Sequence, residues 1–138
     1  MNDDATSNTL DHERYMRRAT ERARIEPVAL FQTVIVDRRT GEIVAEDAND
    51  AVGNHPLMHG ETDAIDRCWR ERPSIDWSRL ALYTTAEPCA MCQAAIGWAG
   101  IGLVFYGGST PFSHRSATIA SARVPRRSPH MPPSTAAR

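Results

Sequence analysis

The sequence predicts an α/β fold in which helices pack on a mixed sheet. Two observations carry this. Apolar residues change between helical and strand spacing along the chain, in the order α, β-β, α, β, α, β. The chain has 138 residues, 41% of them hydrophobic, which suits one domain with its own core.

Asp11 is placed to cap a first helix running to about Arg24, with Tyr15, Met16, Ala19 and Ala23 at helical spacing. Pro27 ends it. Val28 to Asp37 is rich in β-branched residues around Thr33-Val34-Ile35-Val36 and reads as a strand. Arg38-Arg39-Thr40-Gly41 then turns, and Glu42 to Ala48 returns as the second arm of a hairpin. Asn49 to His55 has loop composition. A second helix is expected from near His59 to about Glu71, burying Ala64, Ile65 and either Cys68 or Trp69. Trp69 and Trp77 are both read as core. Leu80 to Thr84 is a short strand. Pro88 stands where a third helix can start, running from about Cys89 to Ala99 and stopped by Gly100. Gly102 to Gly107 is another strand, and Ser113 to Arg123 is read as one more helix. Residues 1–113 are expected to form the domain, its first nine residues frayed. Residues 114–138 are set apart as an atypical tail with Arg115, Arg123, Arg126, Arg127, Arg138 and four prolines.

Composition excludes several classes. The net charge is −1, so no global field draws the chain to nucleic acid or membrane, although all sixteen basic residues are Arg. Met1 to Leu10 is polar and lacks the apolar core of a signal peptide, and no apolar run is long enough to span a bilayer. Of three cysteines, two stand in one short motif, which fits a reducing, cytoplasmic setting better than a disulfide scaffold.

That motif is one half of a pair. His59-Gly60-Glu61 precedes Pro88-Cys89-Ala90-Met91-Cys92 by about thirty residues. One imidazole, two thiols and a nearby carboxylate are the inventory of a catalytic zinc site, which uses three protein ligands where a structural site closes with four. Cys89 and Cys92 are at i and i+3, so a helix puts them on one face, and a helix N-terminus favours thiolate over thiol. Zinc lowers the pKa of its water from about 15.7 to roughly 7. Glu61, two residues past His59, is then placed to move protons as a general acid–base. Cys68 is read as a small core residue, and His55 as an exposed loop residue.

These motifs resemble the zinc-dependent cytidine/deoxycytidylate deaminase-like superfamily. Thr84-Thr85-Ala86-Glu87-Pro88-Cys89-Ala90-Met91-Cys92 and Ala95-Ile96-Gly97-Trp98-Ala99-Gly100-Ile101 look like its purine-acting branch, guanine deaminases and tRNA adenosine deaminases. The resemblance covers about residues 12 to 112. It implies a three-layer α/β/α cytidine deaminase-like fold with a mixed sheet whose first two strands are antiparallel. It also implies one Zn2+ per subunit, a homodimer, and hydrolytic release of ammonia from a free nucleobase, nucleoside or related amino-heterocycle. Guanine-like substrates come first because of the helix around Trp98, a residue read as core or subunit interface. The departure at Phe31-Gln32 leaves a cytosine analogue or a triazine open.

The resemblance further implies substrate contacts at Asn49, Phe31, Gly60 and Glu87. Asn49 is equally an ordinary turn residue, and Phe31 is equally a core residue. The usual His-Ala-Glu is His59-Gly60-Glu61 here, which keeps the middle backbone N–H. Two other functions compete: a tRNA adenosine deaminase, and a non-catalytic zinc-stabilised module. The first needs a basic RNA-binding surface, and the prolyl tail is read as a solvated end, so nucleic acid is not an expected partner. The second needs Cys68 or His55 as a fourth ligand.

Overall fold

The two central strands are buried along their whole length, so both faces of the sheet must be covered. The computed structural model describes residues 10–25, 31–48, 55–107 and 120–123. The strands are β1 (Gln32–Asp37), β2 (Ile43–Ala48), β3 (Leu80–Thr84), β4 (Leu103–Tyr106) and β5 (Ala120–Arg123). The helices are α1 (His12–Ile25), α2 (Gly60–Glu71) and α3 (Ala90–Ala99). The sheet order is β2-β1-β3-β4-β5. Only β3 and β4 pair in parallel, joined through α3; every other neighbour is antiparallel. The expected mixed sheet and antiparallel first hairpin are therefore observed.

Strand periodicity sorts the side chains into two cores. Val34, Val36, Ala81, Tyr83 and Phe105 pack with Tyr15, Met16 and Ala19 of α1. Ile35, Leu80, Leu82 and Val104 pack with Ala64 and Cys68 of α2 and Ile96 of α3. This is a three-layer α/β/α arrangement. A bulge lets Val44 and Ala45, adjacent in β2, both join the second core, because the register shifts between Ile35 and Val36. Leu82 lies at the centre of that core and is fully buried. Leu82→Ala is expected to destabilise the fold by about 2.5–5 kcal/mol, read as a drop in the urea midpoint with an unchanged slope.

Local chemistry sets the ends of the elements. The Asp11 carboxylate accepts from the Arg14 N–H at 3.0 Å, the expected cap of α1. Gly41 closes the β1–β2 turn with φ +72, a left-handed value that an L side chain resists. Gly100 ends α3 with φ +82, and the Ile101 N–H donates to the Ile96 carbonyl at 3.3 Å, bringing two core isoleucines together. His12 lies 2.7 Å from the Tyr83 hydroxyl through Nδ1 and packs on Phe105 at 4.3 Å between ring centroids.

Several expectations change. Residues 120–123 form a strand beside β4, not part of a helix, because their backbone completes the sheet edge. Cys68, not Trp69, fills the core position on α2; Trp69 is 44% exposed, while Trp77 is partly buried against the second core. Trp98 is 61% exposed, so its reading as a core residue is overturned. Cys68 on α2 and Ile96 on α3 take the buried positions, and the indoles of Trp69 and Trp98 lie off them. Asn49 and residues 1–9, 114–119 and 124–138 lie outside the described residues.

Candidate metal centre

The site forms where two helix N-termini meet the carboxyl end of β3. His59 is the N-cap of α2, and Cys89 is the N-cap of α3, which puts Cys92 in the first turn. The backbone at His59 is fixed by its own N–H, which donates to Thr62 Oγ1 at 3.0 Å. Pro88 lies one residue before the cap of α3 rather than inside the helix. Its carbonyl accepts from Gln93 Nε2 at 2.8 Å, pinning the entry to α3. The positive ends of both helices favour the thiols and carboxyl group that gather here as anions.

His59, Cys89 and Cys92 present one nitrogen and two sulfurs within 4.8 Å of one another. Each sulfur lies 3.6 Å from His59 Nδ1. One ring nitrogen carries at most one proton, so it cannot donate to both sulfurs. The distances instead suit edges of a metal tetrahedron: Zn–N near 2.0–2.1 Å and Zn–S near 2.3 Å put nitrogen and sulfur about 3.6 Å apart. Without a cation, burial pushes the Cys92 thiol up, and Glu61 and Cys89 beside it push further. Burial and the neighbouring Glu61 and Cys89 therefore oppose a bare thiolate there. A divalent ion removes the conflict, so this donor set fits zinc.

Glu61 is buried at 5% exposure and stands outside the donor triangle. Its Oε1 accepts from the Thr84 hydroxyl at 2.9 Å, and its Oε2 lies 3.4 Å from Cys92 Sγ. Thr84 is a site residue that sequence reading passed over. Its signal was present: on β3 it follows Leu80 and Leu82 at period two, so a polar side chain enters the core facing α2. Thr33 stands opposite Thr84 in the β1–β3 register and donates to its hydroxyl at 3.4 Å.

The remaining expected residues divide. Gly60 is the buried first residue of α2, and Glu87 lies half-buried in the segment leading to Cys89. Phe31 is 43% exposed, so its reading as a core residue does not hold. It sits at the site end of the sheet, next to Gln32, whose N–H donates to Thr85 Oγ1 at 3.2 Å. Cys68 belongs to the core and takes no part in the donor set; burial raises its thiol to about 11. His55 Nδ1 accepts from the Leu57 N–H at 3.2 Å, within its own turn. Among the described residues the donor set therefore has three members, and the fourth ligand of a closed structural site is missing.

Residues 9–108 match the family described as the cytidine and deoxycytidylate deaminase zinc-binding region. The chain belongs to this family. Among other deaminases it is similar to the guanine deaminase of Bacillus subtilis, at 36% identity over 103 residues, covering 70% of this chain and 64% of that protein. It is also similar to the tRNA-specific adenosine deaminase of Rickettsia bellii, at 40% identity over 77 residues, 55% of this chain and 53% of that one. The crystal structure of the Bacillus subtilis guanine deaminase superposes with a TM-score of 0.65 at 32% identity, covering 72% of this chain and 66% of that chain. The chain thus spans between half and two thirds of the length of these relatives. The matched region of the deaminase family contains the donor triangle and Glu61 together.

Proposed function

We propose that this chain is a zinc-dependent aminohydrolase. It replaces the exocyclic amine of a small heterocycle with oxygen from water and releases ammonia. The observation that carries this is the position of Glu61, a buried carboxylate beside the three-donor set but not part of it. A structural zinc site has no use for such a group. A hydrolytic one needs a base for water and an acid for the departing amine.

In this reading His59, Cys89 and Cys92 hold one zinc ion per subunit. When bound, the ion supplies the Lewis acidity that makes a nucleophilic water available near neutral pH. Glu61 accepts one proton from the attacking water and passes it to the ring nitrogen. It then takes the remaining hydroxyl proton of the adduct and gives it to the amine, which leaves as ammonia as the C=O bond forms. Gly60, Glu87, Phe31 and Asn49 are the proposed substrate contacts, Gly60 through its backbone N–H. The catalytic unit is assigned to residues 1–113, with 114–138 as a tail whose strand at 120–123 borders the sheet. A homodimer in the cytoplasm is proposed with it. Among the described residues, no helix is long and apolar enough to cross a membrane.

A guanine-like base is the first substrate assignment. The similarity to guanine deaminase spans 70% of this chain, against 55% for the Rickettsia tRNA-specific enzyme. The second reading, adenosine in tRNA, is favoured by the higher identity of that shorter match, 40%. Ammonia release from a panel of guanine, adenine, cytosine, their nucleosides, triazines and tRNA separates the two. We expect turnover of free guanine. Turnover confined to tRNA, with salt-sensitive binding, selects the second reading, and no release from any member overturns the proposed activity.

A further inference from the structure

We propose that Thr84 is a positioning residue: its hydroxyl holds one oxygen of Glu61 so that the other faces the metal ligands. The inference rests on the function proposed above and adds a residue that acts through Glu61. A glutamate side chain has three rotatable bonds, and α2 alone does not fix where its carboxylate lies. Thr84 can fix it because it sits on β3, the central strand. There its backbone is held on both sides, by β1 through the Thr33 pairing and by β4 through the Tyr106 pairing. Its carbonyl also accepts from the Gly107 N–H at 3.1 Å. Its side chain is fully buried.

The hydrogen-bond directions agree. Thr33 donates to the Thr84 oxygen at 3.4 Å, which leaves the single Thr84 proton for Glu61 Oε1 at 2.9 Å. Among the described residues, the side-chain donors to Glu61 are Thr84 and Cys92. Of the two, Thr84 is held in the strand by both neighbours and lies outside the donor set. Oε2 then stays on the side of Cys92 Sγ, 3.4 Å away, where a proton has to be moved. The sheet thus sets the register between the carboxylate on α2 and the ligands at the two helix ends.

The test compares wild type, Thr84→Val and Thr84→Ser by zinc content, kcat and KM for ammonia release, and crystal structures of the zinc-loaded proteins. Valine keeps the shape and removes the donor; serine keeps the donor. We expect all three to bind one zinc. In Thr84→Val, kcat should fall about 10- to 100-fold with KM changed less than about threefold, the value of a hydrogen bond to a charged group. Its crystal structure should show Glu61 turned away from the strand. Thr84→Ser should restore both rate and rotamer. An unmoved Glu61 in Thr84→Val, or equal losses in the valine and serine variants, overturns the proposal. If Thr84→Val fails to fold, Thr84→Ala carries the same readouts. If wild type releases no ammonia from any substrate, the proposed function fails, and the Glu61 rotamers still decide the role of Thr84.

Discussion

Glu61→Gln is expected to bind one equivalent of zinc and to lose ammonia release by about 10³-fold or more. Glutamine has the same length and keeps an oxygen for the Thr84 hydroxyl at the Oε1 position. It cannot take up or return a proton, and positioned proton transfer is worth about 10²- to 10⁴-fold for a single group. Because Glu61 lies outside the donor triangle, zinc content should not change. Metal analysis of the purified variant, with steady-state kinetics on the best substrate from the panel, checks both halves. Activity within about tenfold of wild type would take Glu61 out of the chemistry. Loss of zinc would make it part of the metal's support.

Cys92→Ala should have the opposite signature, losing metal first. Cys92 is fully buried in the first turn of α3, and removing its sulfur leaves a nitrogen and one exposed sulfur to hold the ion. We expect less than about a tenth of an equivalent of zinc after dialysis, and no turnover. Wild-type protein stripped with a chelator should melt about 5–10 °C lower than the zinc form. Ligand held at 100 times its Kd adds about 2.7 kcal/mol to stability, and a domain of this size shifts a few degrees per kcal/mol. Cys68→Ala is the control. It loses stability through its core contacts but should keep its zinc, because Cys68 packs against the sheet away from the donors. Zinc retained by Cys92→Ala would overturn the ligand assignment.

The donor set of His59, Cys89 and Cys92 and its neighbour Glu61 were legible as a candidate site in the sequence because metal chemistry restricts residue type and spacing together. Two sulfurs at i and i+3 at a helix start can reach one ion, and a histidine and glutamate two residues apart about thirty residues earlier complete the same inventory. The strands were legible for a related reason. Val34, Ile35 and Val36, and Leu80 to Tyr83, are apolar on both faces, and only a covered central sheet accommodates that. Trp69 misled because size is a weak guide to burial. Cys68 fills a core position that Trp69, the next residue, does not reach. Residues 120–123 misled because a strand at a sheet edge is decided by the backbone groups of its neighbour, here β4, and not by its own residues.

The sequence by itself determined the donor chemistry, the nearby carboxylate and the alternation of helix and strand. These are set by side-chain type and by periods of two and 3.6 residues, which are local properties. Only the tertiary structure decided that His59 meets Cys89 and Cys92 across some thirty residues at 3.6 Å. It alone showed that Thr84, a residue of ordinary strand composition, holds Glu61 at 2.9 Å. Contacts between elements depend on how the sheet stacks against its helices, and no local pattern of residues encodes that register.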